Sequence, residues 1–382
     1  MEPTIVRGTH ARATPHRQPG LVVLATLLAT LAPAHAQTRN VVLVVADGLR
    51  WQEVYTGADR ALIDAGRAGG SWTKPAELRA RWWRDDTAER RALLLPFLWG
   101  TVAKHGQLYG NRLLGSRVDV TNAARVSYPG YNELLTGRAD PSIDRNDYGP
   151  NPNVTVLERL AALPGYRGRV AVYGTWWVLA DVINAARSRL PVHVGADFIP
   201  RGTADPAAAL LGSLYASSTH LYGANPFDAF VHVALREGLS RESPRVLFVG
   251  FGDTDLWAHM GRYDLVLETA HQFDAYVGEL WRTLQSRPGY RNHTTLILTT
   301  DHGRGRGSID WREHGVLQPG SEEIWLAVLG PDTAPLGERR NTAAVAQGQV
   351  AATLMALLGE DLSRLDPLAA PSVADVLAGH HH

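Results

Sequence analysis

Four places along the chain put oxygen or imidazole donors directly beside apolar, β-branched runs. NVVLVVA is followed by Asp47-Gly48, RVLFVGFG by Asp253, Asp255 and His259, and TTLILTT by Asp301-His302-Gly303, while His314-Gly315 precedes IWLAVLG. Charged groups at the end of a buried strand are costly unless a salt bridge, a cap or a metal ion offsets the burial. Asp255 and His259 are four residues apart, so on a helical turn they share a face and can grip one ion. With His314 they form a nitrogen and oxygen set with an open position, the arrangement of a catalytic zinc-like site. Asp47, Asp301 and His302 make a second set, adjacent Asp301 and His302 turning inward together at a kinked strand end beside glycine. Singly, Asp-Gly is a common turn and Asp-x-x-x-His a common helix-surface pair. Jointly, in this order and at strand boundaries, they point to one metal centre. Asp253 fits either hydrogen bonding behind the ligands or plain turn formation.

A two-ion centre needs a nucleophile, and ARVSYPGYNELLTGR supplies Ser127. Ser127 and Pro129 precede a helical pattern, so the hydroxyl is expected near a helix N-terminus, where backbone N–H groups favour an anion. An isolated serine there would read as an N-cap. Beside two divalent ions its hydroxyl can ionise at neutral pH.

The elements that must carry these residues follow from periodicity. Apolar runs at 41–46, 170–173, 246–251, 295–300 and 324–329 read as buried strands, and 153–163, 227–238, 264–284 and 343–358 as helices. Strands alternating with helices imply an α/β fold with a largely parallel sheet covered on both faces. Such sheets collect ligands at the carboxyl ends of their strands. Residues 76–106 read as one long or two short helices with an apolar stripe through Leu78, Trp82, Leu93 and Phe97, their charges forming a solvated face. The irregular GRADPSIDRNDYGPNPN reads as an active-site rim.

Composition narrows the function. The 382 residues are 45% hydrophobic, enough for a sizeable core. Thirty-eight basic residues balance 38 acidic ones, against a general nucleic-acid or anionic-membrane binder. There is no cysteine, which excludes disulfides, thiolate zinc sites and a cysteine nucleophile. Arg7, Arg12 and Arg17, the apolar run 21–31 and Ala34-His35-Ala36 read as a secretory signal over 1–36, cut after Ala36. A single catalytic domain is expected over 37–379, periplasmic or secreted and without a membrane span once the signal is removed. The histidines at 380–382 are a tail outside the site.

The motifs VVADGLRW, SYPGYNELLTG, GDTDLWAHMGRYD, TTDHGRG and EHG, in this order from residue 41 to about 330, resemble the alkaline phosphatase superfamily. The Ser-Tyr-Pro segment is similar to the nucleophile region of its nucleotide pyrophosphatase/phosphodiesterase branch, where threonine usually replaces the serine. The resemblance implies a three-layer α/β/α sandwich and two divalent ions, often zinc, with manganese or calcium as alternatives. Carried across, Asp255, His259 and His314 would hold the ion serving the leaving oxygen. Asp47, Asp301, His302 and the Ser127 oxygen would hold the ion serving the nucleophile, and a phosphoseryl intermediate would follow.

Departures from the pattern shape the substrate reading. Gly130 stands where the diesterase branch has asparagine, and Asn132, Asn146, Asn151 and Asn153 compete to contact the phosphoryl group. Tyr131 stands at the fourth position after Ser127, where the sulfatase motif Cys/Ser-x-Pro/Ala-x-Arg requires arginine. A phosphomonoester dianion calls for a further cation or strong donor, and Arg138, Arg304 and Arg306 are the candidates. The expectation is an exported, metal-dependent phosphoric-ester hydrolase acting on small molecules, preferring monoesters with some diester activity. Its competitors are a sulfatase-like hydrolase or phosphodiesterase, and a catalytically silent protein that captures metal or phosphate.

Overall fold

The computed structural model describes residues 38–196, 206–220 and 225–377, with Met1, Pro3, Thr4 and Gly8. The expected cleavage after Ala36 and the tail 380–382 lie outside the described residues.

Among the described residues eleven strands form two sheets: β1 (Asn40–Ala46), β2 (Gln107–Tyr109), β3 (Val118–Asp119), β4 (Val170–Gly174), β5 (Val192–Val194), β6 (Val246–Phe251), β7 (Thr294–Thr299), β8 (Glu323–Ile324), β9 (Leu326–Leu329), β10 (Gly337–Glu338) and β11 (Val345–Ala346). The large sheet has the order β10-β2-β9-β7-β1-β6-β4-β5, and β11-β3-β8 form the small one. From β7 to β5 the pairing is parallel throughout. On the other side β9 runs antiparallel to β7 and β2 antiparallel to β9. The sheet is thus largely parallel, with an antiparallel flank.

Charge-free runs of valine and leucine can be covered on both faces, and β1 shows it. Val42, Val44 and Ala46 pack with Leu235, Phe273 and Val277 of the helices Asp228–Glu242 and Tyr263–Ser286. Val41, Leu43 and Val45 pack instead with Leu134, Leu157 and Leu354 of the helices Ser127–Thr136, Val156–Ala162 and Gln349–Leu357. Two helical layers therefore enclose the sheet. Each fully buried aliphatic side chain contributes about 1.5–3 kcal/mol, a reserve large enough to carry a few unfavourable charges at the strand ends.

Register then positions those charges. Val45 pairs with Thr299 and Ala46 with Phe251, so two residues beyond Val45 and Thr299, Asp47 and Asp301 come level. The Asp47 N–H continues the ladder to the Phe251 carbonyl at 2.9 Å. Gly48, at φ +60°, turns the chain away at once.

Two elements differ from expectation, and a third takes the second of its two expected forms. The run 324–329 is divided between the two sheets at Trp325, whose indole N–H donates to the Leu49 carbonyl at 2.9 Å. Residues expected to begin the helix at 343 form β11 first, and that helix starts at Gln349. Residues 76–106 hold two short helices, Pro75–Trp82 and Thr87–Leu94, followed by wider turns; the Asp86 carboxylate accepts from Glu89 N–H at 2.8 Å to start the second.

Candidate metal centre and cleft

The inner cluster joins β1 and β7. His302 Nε2 lies 3.4 Å from Asp47 Oδ1 and 3.5 Å from Asp301 Oδ2, with all three side chains buried. The remaining oxygens are already used: Asp301 Oδ1 accepts from Gly48 N–H at 3.1 Å, and Asp47 Oδ2 from the Tyr131 hydroxyl at 3.4 Å. The His302 Nδ1–H donates to the Gly303 carbonyl at 2.9 Å, which points Nε2 at the two carboxylates.

The outer cluster sits on the helix Asp253–His259 and the loop ahead of β8. His259 Nε2 and His314 Nε2 face each other at 2.9 Å, and Asp255 Oδ2 is 3.4 Å from His259 Nε2. The His314 Nδ1–H donates to the Arg125 carbonyl at 3.2 Å, so its Nε2 presents a lone pair. Asp255 Oδ1 lies 3.7 Å from His314 Nε2 and 3.9 Å from His302 Nε2, which links the clusters.

These donors fit a cation. Asp47 Oδ1 and Asp301 Oδ2 are buried with no hydrogen-bond partner, and such orphaned acceptors cost about 1–3 kcal/mol each. Asp47, Asp301 and His302 form one candidate ligand group, and Asp255, His302 and His314 a second. Burial pushes the Asp301 carboxyl up to about 7, with Asp47 adding to it. Burial works against charging His302, yet Asp301 and Asp47 outweigh it and lift the ring to about 9. The inner cluster therefore favours a positive charge. Burial lowers His314 instead, aided by the neighbouring His302 and Arg304, and burial lowers His259 as well. Two neutral imidazoles whose Nε2 atoms converge are what a zinc-like ion uses.

Ser127 is the first residue of its helix and nearly buried, its Oγ 3.2 Å from His302 Nε2. The turn before it is tied down by buried Glu133, which accepts from the N–H groups of Thr121 (3.0 Å) and Asn122 (2.9 Å). Gly130 has a steric reason: a Cβ there would come within 2.4 Å of the Asp301 carbonyl. Asp253 and Asp228 clasp each other's helix starts, each carboxylate accepting the other's N–H, at 3.1 and 3.2 Å. Asp253 thus makes hydrogen bonds, but to a second capping residue.

The expected phosphoryl contacts separate. Asn132 is fully buried and accepts from the amide groups of Asn151 (3.1 Å) and Asn153 (3.2 Å), which ties these three to one another. Asn146 lines the cleft beside Ser127, and its Oδ1 accepts from Tyr128 N–H at 2.9 Å. None of the three arginines reaches the cleft. Arg138 binds Asp366 (3.5 Å) and Asn153 (3.1 Å), Arg306 pairs with Glu323, and buried Arg304 pairs with Asp255.

The cleft over both clusters has a volume of about 250 Å³. Trp176, Pro226, Phe227 and Leu256 wall it, and no arginine or lysine lines it among the described residues. Phe227 stacks on Trp257 with ring planes 8° apart, which stiffens that wall. The apolar wall was not read from the sequence, although Thr175-Trp176 follows β4 directly and the strand-end rule points there too.

The fold and the placing of these strand-end donors are those of the alkaline phosphatase superfamily, whose members are metal-dependent, and the family model makes the chain a hydrolase. Within it the chain belongs to the type I phosphodiesterase / nucleotide pyrophosphatase family, whose model matches residues 64–318. That span includes Ser127 and His314 and begins after Asp47. Alkaline phosphatase PafA is similar in structure, with a TM-score of 0.57 at 11% identity over 89% of this chain and 99% of that one. Lipoteichoic acid synthase LtaP of Listeria monocytogenes gives 0.57 at 13% identity over 90% of this chain and 76% of its own. Phosphonate monoester hydrolase of Silicibacter pomeroyi gives 0.54 at 13% over 90% and 78%. No curated protein matches the sequence.

Proposed function

We propose that this protein is an exported phosphoric-ester hydrolase in which Ser127 is the nucleophile and two divalent ions, zinc first among them, occupy the clusters. The observation that carries the reading is Ser127 Oγ at 3.2 Å from His302 Nε2, at the base of the cleft and beside two orphaned carboxylate oxygens. Asp47, Asp301, His302 and Ser127 would hold one ion, and Asp255, His259 and His314 the other. When bound, such ions stabilise charge on the attacking and leaving oxygens. Ser127 Oγ, its proton released to solvent, attacks phosphorus in line, the ester P–O bond opposite it breaks, the alcohol leaves as an alkoxide that takes a proton from water, and the phosphoryl group is carried on the serine. Water then adds to phosphorus, breaks the Oγ–P bond and releases the product. The Asn146 amide N–H donates to a non-bridging phosphoryl oxygen, while its Oδ1 stays on Tyr128 N–H. The Arg-rich start, apolar run and Ala-His-Ala of the first 36 residues support export.

The cleft favours diesters over monoesters. Monoester preference depended on Arg138, Arg304 or Arg306 reaching the phosphoryl group, and each has another partner. A diester carries a single negative charge on the phosphoryl group and a second substituent, which the wall formed by Trp176 and Phe227 can cover. The test is kcat/KM of the mature chain, loaded separately with zinc, manganese or calcium, on aryl phosphate, aryl phosphodiester and aryl sulfate. Diester preference is expected, and Arg138→Ala and Arg306→Ala should leave it within about twofold, as exposed or peripheral ion pairs contribute little. A monoester preference lost in either variant would restore the arginine reading.

A further inference from the structure

Arg304 follows the Asp301-His302-Gly303 stretch and would ordinarily face solvent or substrate. It is instead 2% exposed, among the largest fully buried side chains of the protein. Its Nη1 donates to the Arg312 carbonyl at 2.6 Å, and its Nη2 contacts both Asp255 Oδ1 and, at 3.3 Å, the Asp255 carbonyl. The seat is made by Gly48: a Cβ there would lie 2.8 Å from Arg304 Nε and 2.9 Å from Asp255 Oδ1. One glycine thus turns the chain after Asp47 and makes room for a guanidinium against the outer cluster.

The two Asp255 oxygens are divided as a result. Oδ1 is hydrogen-bonded by Arg304 and lies 3.7 Å from His314 Nε2, while Oδ2, without a contact to Arg304, stays 3.4 Å from His259 Nε2. The charges differ correspondingly. Asp255 with Arg304 and two neutral imidazoles sums to zero, whereas Asp47 and Asp301 with neutral His302 sum to two negative charges. A divalent ion feels that difference strongly at such short range.

We propose that Arg304 is a positioning residue of the metal centre: it fixes Asp255 by one oxygen, leaves the other for the ion shared with His259 and His314, and neutralises that set, so the outer ion is held more weakly and exchanges more readily than the inner one. This rests on the reading that the two clusters bind metal, and concerns only how Arg304 divides affinity between them. Removing the guanidinium has two opposed consequences, loss of orientation and gain of net negative charge. Charge prevails, because the helix Asp253–His259 still presents Asp255 and His259 together.

The test is zinc titration of the metal-free mature protein against a chromophoric chelator. The wild type should show two affinities, the weaker lost first on dialysis. Arg304→Met should strengthen the weaker affinity by at least about tenfold and leave the tighter one within about threefold, while Arg304→Lys, which keeps the charge, should stay near wild type. An unchanged or weakened outer affinity in Arg304→Met overturns the proposal. Should that variant not fold, a crystal structure of the zinc-loaded wild type decides. Arg304 on Asp255 Oδ1 with zinc on Oδ2 supports the proposal, and an Asp255 that gives both oxygens to zinc, or an Arg304 turned away, overturns it. Zinc absent from both clusters, or affinities unaltered by Asp301→Ala, would defeat the metal-site reading itself, a result distinct from either Arg304 outcome.

Discussion

The inner and outer clusters use the same residue types toward opposite electrostatic ends. In the inner one, His302 sits between two buried carboxylates with orphaned oxygens, and its ring is pushed up to about 9. In the outer one, His259 and His314 face each other at 2.9 Å and both are lowered. The first cluster lacks only positive charge, and the second offers lone pairs with little charge behind them. The difference arises from geometry, since one face of His302 meets β1 and β7 ends while Arg304 occupies the corresponding carboxylate of the outer set. Two sites a few ångströms apart can thus have very different appetites for the same ion.

The sharpest way to break this comparison is at the inner cluster. Asp301→Ala and Ser127→Ala should each lower diester kcat by about 10⁴-fold or more, but for separable reasons. Ser127→Ala should keep nearly full metal content by elemental analysis, because the serine oxygen is one ligand among several, whereas Asp301→Ala should lose the tight ion. Acid-quenched wild-type turnover should leave phosphate on the peptide containing Ser127, and phosphate elsewhere would refute the nucleophile.

At the outer cluster the expected effect is smaller and recoverable. His314→Ala should weaken the second ion by roughly 10–100-fold, so activity lost at limiting zinc returns as zinc is raised. If added zinc restores nothing, the outer cluster is not an exchangeable site.

The smallest effect concerns the pH dependence of the metal-free protein. His302 is raised in the fold from 6.5 to about 9, so the stability its proton contributes is full below about 6.5 and lost as pH rises through 9. Asp301 is raised from 3.8 to about 7, so its proton too favours the fold at low pH and that contribution is lost by about 7. Both signs agree: with chelator present, Tm should fall by several degrees between about pH 5 and 9, and with zinc bound the slope should flatten because the ion replaces the protons. Asp301→Asn should flatten it as well. A chelated wild type whose Tm climbs over this range would show that the cluster does not hold these protons.

The donors at the strand ends were legible because a parallel sheet buried on both faces needs uninterrupted apolar runs, so the first charge after each run marks its carboxyl end. Asp47, Asp255, His259, Asp301 and His302 could be picked out that way, and Ser127 by the helical pattern it begins. The fate of the arginines was not legible. Arg304 is buried against Asp255, Arg306 is exposed and pairs with Glu323, and Arg138 meets Asp366, 228 residues away. Nor could spacing separate Asn146 from Asn132, which one hydrogen bond to Tyr128 and two to other asparagines keep apart. Local sequence determines which donors sit at strand ends, because burial of the preceding run is a local property. The partner of a long charged side chain is set by residues brought near only when the sheet closes, and tertiary structure alone decided that Arg304 is buried against Asp255 and does not line the cleft.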